Sequence, residues 1–266
     1  MQLNEADQFF RDGWCQFGFD PALAEWVGHA LPAARDCVSD PAHAQWLRYG
    51  GTWFAGVNAL PNDAAGRLSG GPVLAGAAID FIHRELAGTD FNWDRAQVSV
   101  CYPGYPQRMD GETEAVFSYR VKRDAAHVDG FRRHGEDRRR FLNEHHGFIL
   151  GIPLAESSPG ASPFVVWRGS HEKVRTAMRD VFAGIDPADW HDVDITEAYH
   201  SVRREVFETC ERVELTARPG EAYLVHRLAL HGIAAWREGA SAGPDGRMIA
   251  YFRPEIASRH DWLNAP

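Results

Sequence analysis

Cysteine is scarce and unpaired: Cys15, Cys37, Cys101 and Cys210 lie scattered along 266 residues, with no Cys-x-x-Cys spacing. That spacing excludes a cysteine-built zinc site and a disulfide framework, and reads as reduced cytosolic thiols. Long apolar runs are missing too, and no stretch approaches the ~20 residues that span a bilayer. The opening "MQLNEADQFF" has two acids and no apolar core, so neither a secretory leader nor a membrane partner is expected and a cytoplasmic location follows by default. Positive charge is in deficit, 28 Lys and Arg against 37 Asp and Glu, for a net −9. Nucleic acid is therefore not an expected partner, because phosphate binding needs a clustered positive field. One local exception, Arg132, Arg133, Arg138, Arg139 and Arg140, could draw an anionic substrate, although Glu136 and Asp137 beside it suggest a solvated loop. No repeat and no low-complexity linker divides the chain, so one domain is expected over 1–266.

What is present is the balance of an ordinary globular protein, 44% hydrophobic and 24% charged. Residues 1–92 read mainly as helix. Asn4 can cap a helix that Gly13 stops, Asp20 and Pro21 open a second, and "GPVLAGAAIDFIHRELAG" sets Leu74, Ala78, Phe81, Ile82 and Leu86 on one helical face. From 93 to 254 the texture changes to short segments rich in β-branched and aromatic residues and bounded by Gly and Pro, among them "AQVSVCYPG", "VFSYRV", "HGFILGIPL", "PFVVWRG" and "GRMIAYFRP". This is the pattern of an antiparallel sandwich or barrel, interrupted at 172–210 by a helical insertion. The fold class is mainly β with flanking helices.

His127 and Asp129, in "DAAHVDGF", would point to one side of a strand. A mononuclear iron site for oxygen chemistry uses two histidines and one carboxylate on one face of the metal. The third ligand could be His226 or His231, which are five apart and so face opposite ways on a regular strand; His231 precedes Gly232, where backbone can approach closely. Arg247 opens the strand "GRMIAYFRP", and its planar fork suits a carboxylate. Gln97 shares a strand face with Ser99 and Cys101 and could hydrogen-bond a cosubstrate, as could Tyr119; the plain alternatives are a polar outer face and a core tyrosine. Trp53 and Trp167 are candidate pocket walls and Arg132 a candidate substrate contact, with packing or solvation the alternative for each.

These residues resemble the phytanoyl-CoA dioxygenase-like family of Fe(II)/2-oxoglutarate-dependent oxygenases, through "HVDG" at 127–130, "WRGSH" at 167–171, "PGEAYLVHRLALHG" at 219–232 and "GRMIAYF" at 246–252. The resemblance implies a double-stranded β-helix, the jelly-roll of cupin-like proteins, with Fe(II) on His127, Asp129 and His231. It implies Arg247 on the far carboxylate of 2-oxoglutarate, with Arg253 as a substitute, and O2 as the oxidant. Ser170 and His171 would shape the loop that closes the barrel. The presence of Asp129 implies oxidation of an unactivated C–H bond of a small molecule rather than halogenation, with release of succinate and CO2. Two other readings remain: a non-catalytic jelly roll that binds a ligand, and a cupin-like metalloenzyme that does not use 2-oxoglutarate.

Overall fold

The computed structural model describes residues 4–87 and 91–265. Twelve strands follow one another as β1 (Trp14–Phe17), β2 (Leu47–Arg48), β3 (Trp53–Gly56), β4 (Gln97–Cys101), β5 (Phe131–His134), β6 (Arg139–Leu142), β7 (Phe148–Pro153), β8 (Phe164–Trp167), β9 (Arg212–Leu215), β10 (Ala222–His226), β11 (His231–Ile233) and β12 (Arg247–Phe252). The α-helices are α1 (Glu5–Asp12), α2 (Pro21–Ser39), α3 (Ala77–Ile82), α4 (Glu114–Lys122), α5 (Ser170–Val181), α6 (Thr196–Thr209) and α7 (Arg259–Asn264). A seven-stranded antiparallel sheet, ordered β1-β10-β7-β12-β4-β3-β2, faces a three-stranded sheet ordered β11-β8-β9, with β5 and β6 as a separate hairpin. This is a jelly-roll core with flanking helices.

Alternation along each strand sorts the side chains into layers. On β7, Phe148, Leu150 and Ile152 join a core under α2 and α3, whereas Ile149 joins Tyr223, Val225, Ile249 and Tyr251 in the interior between the sheets. On β8, Phe164 and Val166 face that interior while Val165 and Trp167 pack outward against α5 and α6. Helices thus cover both outer faces, which is why β7 is buried at every position instead of alternating with solvent.

Local signals account for most helix ends. Asn4 accepts from the Asp7 N–H at 2.7 Å, and Gly13 stops α1 in the left-handed region at φ 83°. Three expectations differ from the structure. The segment "VFSYRV" is helix, not strand: Thr113 caps α4 by accepting from Val116 N–H at 3.3 Å, and Arg120 and Lys122 suit its C-terminal end. The first ninety residues are not helical throughout, since β1, β2 and β3 extend the large sheet at both edges. The helix expected from residue 71 begins only at Ala77, because Gly76 sits at φ 122° and Asp20 Oδ2 takes the Ala77 N–H at 2.9 Å. Its expected end, 88–90, lies outside the described residues.

Candidate metal centre

His127 does not sit in a regular strand. It follows α4 and makes a single antiparallel bridge with His231, each backbone N–H donating to the other's carbonyl at 2.8 and 3.0 Å. Two glycines permit the close approach. A Cβ on Gly232 would lie 2.1 Å from the Asp124 carbonyl oxygen, and one on Gly130 (φ 83°) would lie 2.3 Å from that of Glu144. Gly130 therefore turns the chain away immediately after Asp129. Ser170 Oγ accepts the Leu230 N–H at 2.9 Å and so fixes the residue before His231.

The three side chains meet. One ligand atom each from His127, Asp129 and His231 lies within 4.8 Å of the others. Asp129 Oδ1 is 3.3 Å from His127 Nε2 and 3.7 Å from His231 Nε2. The opposite nitrogens face carbonyls: His127 Nδ1 lies 3.1 Å from Ala125 O and His231 Nδ1 2.9 Å from Ala229 O. A carbonyl only accepts, so each Nδ1 carries a proton and each Nε2 is the ring nitrogen turned toward Asp129. Phe164 stacks on the His231 ring at 5.4 Å and 11°. Burial holds His231 below its usual pKa and so favours the neutral, ligating form. Burial alone would raise Asp129, but Arg253 and the two histidines outweigh it and keep the carboxyl well below its ordinary range.

Arg253, on the same face of its chain segment as Arg247, holds the other oxygen of this carboxylate. Its Nη1 donates to Asp129 Oδ2 at 3.3 Å and its Nη2 to Gln97 Oε1 at 2.6 Å. Arg253 is thus engaged at the metal carboxylate and does not replace Arg247. Gln97 is reached through Arg253 and faces inward with Ser99, on the side opposite Val98 and Val100, so the alternative of a polar outer face does not hold. Arg247 lies in the interior, 4% exposed, with Nη2 donating to Tyr251 Oη at 3.1 Å and Tyr223 Oη at 3.4 Å. Its Nη1 has no hydrogen-bond partner among the described residues. Burial keeps Tyr223 well above its usual pKa and pushes the Cys101 thiol up to about 11, so these neighbours are neutral dipoles and not counter-ions. A buried, half-satisfied guanidinium fits one missing group, a carboxylate.

Other expected residues separate into two groups. Trp53 lies on the inner face, its indole N–H donating to Ser99 Oγ at 3.0 Å and its ring stacked on Tyr49 at 5.6 Å. Arg132 is exposed and paired with Glu144 at the rim of a cleft of about 660 Å³ that reaches Asp129 and Arg253. Trp167 is not a pocket wall: it packs outward, edge-on to Phe207 of α6. Tyr119 does not face the barrel either, because α4 turns it to donate to Ala126 O at 3.0 Å. His226 is on β10, 2.9 Å from Arg175 Nη2 and beside His171, apart from the triad. His171 contacts Phe10 O at 3.1 Å, far in sequence from the metal-site segments. Tyr223, Tyr251 and Tyr199, whose hydroxyl accepts the Val128 N–H at 3.2 Å, carry no motif that marks them in sequence. Only the spacing of 251 from 247, one strand face, pointed inward.

No family model matches the chain, and no curated protein matches it. Among solved structures it is similar to EctD from S. alaskensis with bound Fe, at 18% identity and TM-score 0.48, covering 95% of this chain and 75% of that one. It is similar to the epimerase SnoN in complex with Fe3+, alpha ketoglutarate and nogalamycin RO (16% identity, TM-score 0.48, 94% and 82% covered). A further likeness is to SnoK, a non-heme alpha ketoglutarate dependent carbocyclase from nogalamycin biosynthesis (12% identity, TM-score 0.47, 100% and 92% covered).

Proposed function

We propose that the chain is an Fe(II)- and 2-oxoglutarate-dependent dioxygenase of the phytanoyl-CoA dioxygenase-like branch that oxidises a C–H bond of a small molecule. The observation that carries this reading is the pairing of a two-histidine, one-carboxylate cluster with Arg247, a buried cation lacking an acidic partner in the same interior. Fe(II) and 2-oxoglutarate, when bound, supply the oxidation: O2 and the keto acid yield succinate and CO2 as the substrate C–H bond is oxidised.

The chain's own residues do the positioning. Ala125 O and Ala229 O hold the Nδ1–H edges of His127 and His231, which orients both rings with Nε2 toward the cluster. Asp129 turns Oδ1 to the two histidines, where it would help hold Fe(II), while Arg253 holds Oδ2. Arg247 would donate to the far carboxylate of 2-oxoglutarate, and the paired hydroxyls of Tyr223 and Tyr251, 2.9 Å apart, aim its fork. Phe164 keeps one face of His231 dry.

Asp129 favours hydroxylation over halogenation, since a carboxylate there leaves no room for a halide. A cupin-like enzyme without 2-oxoglutarate, or a metal-free binding module, gives Arg247 no purpose. Anaerobic addition of Fe(II) and then 2-oxoglutarate tests the reading. The wild type should give a visible metal-to-ligand charge-transfer band that His231→Ala lacks. No band in the wild type, or one that persists in His231→Ala, would contradict it.

A further inference from the structure

The basic run after the metal-site segment is a β-hairpin and not a solvated loop. Its ion pairs do not go to Glu136 and Asp137: Arg132 pairs with Glu144, and Arg139 with Asp194 (2.5 Å) and Glu197 (3.3 Å). Arg133 and Arg140, by contrast, form no ion pair among the described residues, and they are direct cross-strand partners in the β5–β6 register. Like charges placed opposite each other on one sheet face are destabilising. Arg140 is also 7% exposed, and its Nε has no partner.

Its setting ties it to the metal cluster. Arg140 Nη1 donates to Phe131 O at 2.7 Å, two residues beyond Asp129. Its guanidinium lies 4.8 Å from the centroid of the Tyr199 ring, and the Tyr199 hydroxyl accepts the N–H of Val128, between His127 and Asp129. Arg203 sits 5.3 Å from the same ring and likewise has no ion pair among the described residues. Arg133 and Arg140 line the 660 Å³ cleft that reaches Asp129. The cleft's acids are occupied or remote from them: Glu144 serves Arg132 and His146, Asp94 accepts the Arg253 N–H at 2.9 Å, and Glu255 is exposed.

We propose that the substrate is an anion whose carboxylate or phosphate docks on Arg140 and Arg133, so that its carbon skeleton extends toward Asp129. The word substrate rests on the oxygenase reading; the anion site does not. Two opposed arginines, one of them desolvated and held beside an aromatic ring, match the planar or tetrahedral oxygens of such a group. The bound charge would offset the repulsion between the two arginines.

The test uses the metal-free full-length protein, so that its failure is separable from failure of the oxygenase reading. Inorganic phosphate and butyrate are titrated calorimetrically in chloride-free buffer, one probe for each source of negative charge. At least one should bind at a saturable site that persists in Arg247→Met, which removes only the separate interior arginine, and that is weakened ~10-fold or more by Arg140→Gln, the scale of one lost charged hydrogen bond. Arg133→Gln, at an exposed position that spares folding, should weaken this site about 3–10-fold. Phosphate alone, or butyrate alone, then names the group carried by the substrate. Absence of saturable binding for both probes, binding indifferent to Arg133→Gln and Arg140→Gln, or binding abolished by Arg247→Met overturns the proposal. Anion binding intact without the anaerobic band would leave this site standing and remove the oxygenase reading.

Discussion

Arg247 and Arg253 lie six residues apart on one face of β12 and its extension, and their surroundings are opposite. Arg253 is complete: Asp129 neutralises it, Gln97 accepts from it, and it stays 20% exposed. Arg247 is more deeply buried and faces the phenols of Tyr223 and Tyr251 and the Cys101 thiol, with one nitrogen unpartnered among the described residues. Desolvating a cation costs several kcal/mol unless it is paired. Under the proposed reading, the arginine finished by the protein supports the site and the one left unfinished takes the ligand.

Removing each arginine should therefore have opposite consequences in the ligand-free protein. Arg253→Met strands the Asp129 carboxylate and should cost about 2–3 kcal/mol in urea unfolding, a discount from the ~3–5 kcal/mol of a fully buried broken pair because both groups keep some solvent. Arg247→Met removes an uncompensated buried cation and should be neutral or stabilising by ~1 kcal/mol; a loss as large as that of Arg253→Met would erase the contrast. Gln97→Ala unties Arg253 without touching a metal ligand, and Mn(II) affinity should fall ~10-fold, the low end for residues that orient metal ligands. The smallest effect concerns Glu144. The hydrogen bond from His146, with Arg132, outweighs burial and lowers its pKa from 4.5 to about 2. A depressed folded pKa stabilises above the unfolded value, and that stability is lost as pH falls from about 4.5 through 2. Glu144→Gln should flatten this part of the acid-unfolding profile; an unchanged profile would show the pairing to be idle.

The same contrast explains what was legible in the sequence. His127, Asp129, His231 and Arg247 stood out because each is a residue type with narrow chemistry in a recognisable order. Alternation put Gln97 and Ser99 on one strand face but left open whether that face was the inner or the outer one. Arg253 was legible only as a second arginine on the strand, since its hold on Asp129 joins positions 124 residues apart. Trp167 was misread because β8 buries both faces, so aromatic character does not tell interior from exterior. Tyr119 and "VFSYRV" were misread because β-branched and aromatic residues suit a strand until Thr113 supplies a helix cap. The arginine run is solvated at Arg132, Arg133, Arg138 and Arg139, and nothing in the order of residues 131–142 announces that Arg133 faces the buried Arg140.

The most direct test of the account compares two keto acids on the Mn(II)-loaded protein without oxygen. 2-Oxoglutarate carries the far carboxylate and 2-oxobutyrate does not, while both offer the same chelating end. The wild type and Arg253→Met should favour 2-oxoglutarate by ~10-fold or more, the scale of a charged hydrogen bond, and Arg247→Met should bind the two alike. A preference for 2-oxoglutarate that survives in Arg247→Met would contradict the assignment of that arginine and, with it, the reading of the site.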